Sequence, residues 1–306
     1  MNLTFDSFLT LLISAILLAG LYATMSYGLA LIYGVMKIIN LAHAGTMMLG
    51  AYTAFVLITT LKVNPFLAPL IVVPLFFVLG MFLQRIVVRR VMTAPPISSL
   101  LLLFGVWLIM QNVAYLIWSG DTRTIFTPYT LLTIKAGPIP ISVNRLVVFA
   151  VGVVSLVLLH QFLTRTYIGK AIRATSQDAD AARLVGINTD RIMMIAFGLG
   201  VALASLAGSL MSLIFAFDPD FGRSHLLKSF CICVLGGLQS FVGVALGALI
   251  LALTENFSVV LGVKTALQDF ISFVLLVVVL VVMPGGLASL FNREWRPSLK
   301  SLFKRR

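Results

Sequence analysis

The sequence predicts an all-α protein: a polytopic transmembrane helical bundle of eight to nine membrane segments, some of them broken or short. Three observations carry this. Of the 306 residues, 60% are hydrophobic and only 10% charged, against about 45–50% and about 25% in soluble domains. The charges are segregated, so that eight stretches free of Asp, Glu, Lys and Arg reach at least 19 residues, and about 20 apolar residues in a helix cross the hydrocarbon core. No polar stretch is long enough for a soluble domain, since the longest, 165–191, has 27 residues. A single transmembrane domain therefore covers 1–306, with a polar loop at 165–191 and a basic tail at 292–306. Disorder, a β-barrel and a cytosolic enzyme are excluded.

The segments follow in order. Runs 7–36, 38–61, 63–84, 91–120 and 146–164 precede the polar loop, and runs 192–217, 229–254 and 270–292 follow it. The first carries Gly20, Gly28 and Gly34, and a later one the pair Gly243 and Gly247, which suits close helix packing. If each run crosses once with 165–191 cytoplasmic, only 10 Lys and Arg lie inside and 12 outside. Gly236-Gly237-Leu238-Gln239-Ser240 offers a break, giving a short segment near 225–237 and another near 240–260. The balance becomes 15 inside against 7 outside, with the N-terminus out and the C-terminus in, as the positive-inside rule demands. The net charge of +12 is accounted for by these loops and the tail, so no nucleic-acid partner is expected. Met1 to Asp6 has no basic n-region, which argues against a cleaved signal peptide.

Few side chains in the spans can do chemistry. Cys231 and Cys233 lie two apart in an apolar run and read as small packing residues. His43 starts a span, His160 is near the end of one, His225 is in a loop, and Glu255 with Asn256 closes a span, read as an interfacial position ahead of the alternative that it lines a pathway. No Ser/His/Asp set, metal-ligand cluster or paired carboxylates emerges, so the chain is not read as an enzyme. Nor is there a phosphate-binding G-x-x-x-x-G-K-[ST]; Gly262-Val263-Lys264-Thr265 lacks the first glycine and the loop length. A polar solute would cross where helices are broken, because freed backbone groups can bind it. Two such breaks exist: Tyr33 to Gly45, containing Asn40 and His43, and Leu235 to Ser240, containing Gly236, Gly237 and Gln239. Neither holds an acid.

The polar loop itself predicts a short helix over 176–186. Thr175 with Asp178 resembles a capping box, or Ser176 caps directly. Ala179 to Val185 are good helix formers, and Gly186 suits the left-handed position that ends a helix. Asn188, Thr189 or Asp190 can cap the next span. Ala and Leu gather on one side while Asp178, Asp180 and Arg183 are exposed. A capped helix between two spans has no membrane reason to exist, and a docking role explains it.

Thr166 to Arg191 resembles the coupling loop of ABC-importer permeases of the branched-chain amino acid family, through Gly169, Arg173, Ala174, Ala182, Leu184, Gly186, Ile187, Asn188 and Arg191. The stretches 32–36, 39–43 and 48–52 resemble that family's first re-entry into the membrane, and 234–238 and 283–287 its two late glycine motifs. There is one departure. Where the family has Gly followed by an acid, this chain reads Ala44-Gly45-Thr46, leaving no acid there for a substrate ammonium. The resemblance implies a multi-pass permease subunit in the bacterial inner membrane, importing branched-chain or related small amino acids, or alternatively urea or short amides. It implies that Ser176, Asp178, Asp180, Ala182, Arg183, Leu184 and Gly186 couple the chain to an ATPase. The partners implied are two cytoplasmic ATPase subunits carrying ATP and Mg, a second permease subunit (a paralogue rather than a second copy), and a periplasmic or lipid-anchored solute-binding protein. No cofactor is expected on this chain. The competing reading, a stand-alone secondary transporter or channel, needs acids within the spans, and only Glu255 and Asp269 come near, at edges.

Overall fold

In hydrocarbon every backbone N–H and C=O must be bonded within the segment, so long apolar runs become helices. The computed structural model describes residues 5–92, 94–130, 132–136, 139–238, 240–260, 267–282, 286 and 287. Eleven helices are formed among them: α1 (Phe5–Met36), α2 (Ala42–Thr59), α3 (Ala68–Ile86), α4 (Pro96–Trp118), α5 (Val143–Arg165), α6 (Tyr167–Gln177), α7 (Ala179–Leu184), α8 (Thr189–Met211), α9 (Phe221–Gly236), α10 (Phe241–Val260) and α11 (Gln268–Val282). Seven are long and apolar enough to cross a membrane, and α11 holds a shorter apolar stretch over 270–279; counting α9 and α11 with the seven gives nine segments. A small antiparallel hairpin, β1 (Thr133–Ala136) with β2 (Ile139–Ser142), decorates the loop before α5 and pairs Thr133 with Ser142.

The break at 237–240 is present as expected. Gly237 has φ +94°, a left-handed conformation that ends α9 and that glycine adopts without a Cβ clash. Gly243 and Gly247 then let α10 lie against α9, with the Gly243 Cα against the Gly236 carbonyl and Gly247 facing Ile232. Gly286 sits beside Gly237 and Val234, so α11 runs back to the end at which α9 stopped. Leu238 and Ser240 share a cavity with Ile172, Arg173 and Ser176, which puts that end with the polar loop. A chain of nine segments alternating across the membrane satisfies both contacts.

Helix α8 is the hub. Nearly all of its side chains are buried, and it packs on α1, α2 and α3. Glycines make the approaches close: Gly198 meets Phe77 and Met81 of α3, Gly200 meets Gly28 and Ile32 of α1, and Gly208 meets the Met47 carbonyl of α2. With no hydrophobic effect between helices in lipid, contact of this kind supplies the packing energy. The outer faces of α3 and α4 instead expose Leu70, Leu75, Val78, Phe82, Leu101, Ile109 and Leu116, as lipid-facing helices do.

The polar loop is two helices, not one. Ser176 and Thr175 belong to α6, so neither caps the second helix; the Ser176 hydroxyl donates to the Arg173 carbonyl. The cap is Asp178, whose Oδ1 accepts from the Asp180 and Ala181 amides at 2.9 Å each. At the other end Gly186, at φ +86°, donates to the Arg183 carbonyl and Ile187 to the Ala182 carbonyl, the paired bonds of a Schellman stop. Asn188 then caps α8 through the Arg191 amide.

Candidate functional site

Four elements line a cavity of about 570 Å³. The α1 face from Ser14 to Tyr22, Arg145 at the start of α5, the 214–220 stretch with the start of α9, and the end of α10 line it. These parts share the end of the bundle that carries the 119–142 loop, the side assigned as outer by the basic-residue count. Tyr22 lies about 26 Å along α1 at 1.5 Å per residue, so the cavity reaches the middle of the bundle.

Its floor is charged. Lys228 Nζ lies 3.1 Å from Glu255 Oε1, with side-chain exposures of only 13% and 4%. The Tyr22 hydroxyl donates to Glu255 Oε2 at 2.5 Å and the Ser272 hydroxyl to Oε1 at 2.9 Å. Lys228 also sits over the Tyr22 ring, 5.7 Å from its centroid. An isolated charge at this depth would be expensive, and these contacts are what make a buried carboxylate and ammonium tolerable. Leu17, Leu18, Leu21, Phe215 and Phe221 supply apolar walls, and Arg145, Asp218 and His225 add polar groups. Both signs of charge therefore face one space with greasy sides.

A second, smaller cavity of about 230 Å³ opens at the opposite end, among Ala30, Gly34, Ile172, Ser176, Leu238 and Phe241. About 12 Å of α1 separates Tyr22 from Ala30. Tyr27 fills that interval: its ring stacks on Phe241 with centroids 5.3 Å apart, and its hydroxyl donates to the Phe241 carbonyl. Both cavities are thus lined by α1, with the Tyr27–Phe241 contact at the interval of that helix between them.

The expected pathway residues distribute unevenly. Gly236 packs against Gly243, and Gly237 turns the chain beside the inner cavity; Gln239 lies outside the described residues. Tyr33 is next to Gly34 of the inner cavity, with Lys37 6.0 Å above its ring. Asn40 and His43 line neither cavity. His43 is buried with Nε2 2.9 Å from the Met25 carbonyl, and Nδ1 has no partner among the described residues. Asn40 is fully buried with neither side-chain nitrogen nor oxygen bonded. Gly45 faces Met110 and Trp107 of α4, so the position where an acid is missing points away from both cavities.

Two sequence readings are corrected. Glu255 is not interfacial: α10 runs on to Val260 and carries it into the bundle against α9 and α11. His225 is not in a loop but in the first turns of α9, its Nδ1 2.7 Å from the Phe221 carbonyl. The sequence signal for the charged floor was a lysine and a glutamate each interrupting an apolar run. Only the fold shows that they pair.

In the polar loop, Ala182 is buried, Leu184 is 90% exposed and Val185 77%. Arg183 donates to Thr189 Oγ1 at 2.6 Å and lies 3.5 Å from Asp180 and 3.8 Å from Asp190. These contacts fix α7 to the start of α8 while leaving two large apolar side chains in water.

Comparison with known proteins accords with this architecture. A family model described as "Branched-chain amino acid transport system / permease component" matches residues 11–280. The chain is 28% identical to the high-affinity branched-chain amino acid transport system permease protein LivH of Salmonella typhimurium, covering 94% of this chain and 97% of that protein. It is 29% identical to LivH of Escherichia coli strain K12 over the same shares. For BraD of Pseudomonas aeruginosa, a permease protein of the same description, the identity is 28% over 92% and 95%. No solved structure matches the chain significantly. Because the matched region runs from α1 into α11, taking in the polar loop and the charged cavity floor, the chain belongs to the branched-chain amino acid transport system permease family, as a multi-pass membrane protein of the ABC-permease type.

Proposed function

We propose that this chain is the membrane subunit through which an ATP-driven importer moves apolar α-amino acids across the bacterial inner membrane. The observation that carries the reading is the outer cavity, whose floor presents an ammonium and a carboxylate and whose walls are Leu and Phe. A zwitterion with an aliphatic side chain needs these three surfaces, with its carboxylate toward Lys228 and Arg145 and its ammonium toward Glu255 and Asp218. Urea or a short amide would leave both charges and the apolar walls unused. The missing acid at residues 44–46 does not weaken this, because those residues line neither cavity.

ATP and Mg belong to two cytoplasmic ATPase subunits, into which Leu184 and Val185 insert from the coupling loop, held by Asp178, Asp180, Ala182, Arg183 and Gly186 beside Ser176. A second permease subunit, a paralogue, and a periplasmic or lipid-anchored solute-binding protein complete the importer. Nucleotide-driven movement of α7 reaches α8 through the Arg183 contacts and opens the Tyr27–Phe241 contact toward the inner cavity, next to Gly34 and Gly237.

The test is uptake into proteoliposomes containing the whole assembly. Leucine accumulation that requires ATP and the binding protein, with no uptake of urea, is the expected result. Uptake of urea without leucine, or leucine uptake without any ATPase, overturns the proposal.

A further inference from the structure

The lipid-facing side of α3 ends in a basic recess that translocation leaves unused. Exposed Ile71, Leu75, Val78 and Phe82 recur at helical spacing, forming one continuous stripe. The next members of the stripe are Arg85 and, one turn later, Arg89, both exposed. Together with Gln84, Asn188, Asp190 and Arg191 they line a recess of about 240 Å³ between the end of α3 and the start of α8.

Three guanidiniums face a single carboxylate there. Asp190 is held by Arg89 at 2.6 Å and has Arg183 at 3.8 Å. Arg85 and Arg191 have no carboxylate partner among the described residues. The recess thus carries two positive charges in excess, at the level where the apolar stripe of α3 stops. An aliphatic stripe leading into paired guanidiniums matches a molecule with long acyl chains and a compact anionic head, and arginine forks suit phosphate oxygens.

We propose that this recess binds the phosphodiester of an anionic phospholipid, whose acyl chains lie along the α3 stripe. The lipid would anchor the helical turn at Val88–Val91 and the start of α8 at the membrane surface, beside the coupling loop. Basic recesses between spans on the cytoplasmic side have the electrostatics for such a headgroup.

The experiment takes the intact complex with its ATPase subunits in nanodiscs of mixed phosphatidylglycerol and phosphatidylcholine, releases it, and counts retained lipid by native mass spectrometry. Phosphatidylglycerol should be retained over phosphatidylcholine. Arg85→Gln and Arg191→Gln should each lower its retention about fivefold, whereas Arg90→Gln, exposed but outside the recess, should not. Both arginines are surface residues, and an unchanged elution profile confirms that the variants are folded. Equal retention in all variants overturns the proposal. So does release of the lipid by inorganic phosphate alone, which would mean a site for the free anion. Crosslinking of a reactive group at 191 to an ATPase subunit in place of lipid would overturn it equally, since the excess charge would then serve a protein contact.

Discussion

Removing one member of the Lys228–Glu255 pair leaves the other charged, buried and uncompensated, which costs about 3–5 kcal/mol. Lys228→Met and Glu255→Gln should therefore each lower the detergent-solubilised protein's thermal stability markedly, while the double variant recovers most of it. Leucine uptake should stay at background in all three, because the double variant restores neutrality without restoring a surface for a zwitterion. Uptake near normal in the double variant would show the pair to be scaffolding. Asn40 behaves oppositely. Its buried amide has no bond to lose in this conformation, so Asn40→Leu should leave thermal stability unchanged or raise it. A buried polar side chain without partners points to a use elsewhere in the transport cycle, and uptake by Asn40→Leu should fall strongly. A stable variant with full uptake would remove residues 33–45 from the pathway. The sequence already offers Asn40 to the solute as part of a break, but the burial of its unbonded amide and the pairing of Glu255 with Lys228 are visible only in the fold.

At the scale of elements, the coupling loop tests how motion is transmitted. Gly186 has φ +86° and open space around its Cα, so Gly186→Val fails for backbone reasons alone, forcing a β-branched residue into the left-handed region. The Schellman stop is lost and α7 swings relative to α8. Substrate-stimulated ATP hydrolysis should drop several-fold while the complex still assembles. Leu184→Asp should act differently, weakening assembly itself, because it places a charge where a large apolar side chain is offered to a partner. Pull-down of the ATPase with each variant separates the two; normal stimulated hydrolysis in Gly186→Val would end the coupling assignment. The helix, its glycine stop and the cap on α8 were readable from local chemistry. That Asp178 rather than Ser176 caps α7 was not, because the competing bond from Ser176 to Arg173 exists only once α6 has formed.

For the molecule as a whole, nine crossings are the expectation, and they would put the two termini on opposite sides. A cysteine at Thr122 should react with impermeant reagent from outside, and one at Ser301 only from the cytoplasm. Labelling of Ser301 from outside would restore eight crossings. The sequence by itself determined the membrane class, the order of the spans, the break at 237–240 and the capped helix of the polar loop. Those follow from how many apolar residues run without a charge, where Lys and Arg accumulate, and which residues can cap or stop a helix, all of which are local quantities. Tertiary structure alone decided which side chains share a space. Close glycine contacts bring α9, α10 and α11 together so that Lys228, Glu255, Tyr22 and Ser272, from four separate helices, meet at one floor. The charge of a residue can be read along the chain, but its partner depends on how helices pack in three dimensions, and in lipid that packing rests on shape and polar pairing rather than on a hydrophobic pattern.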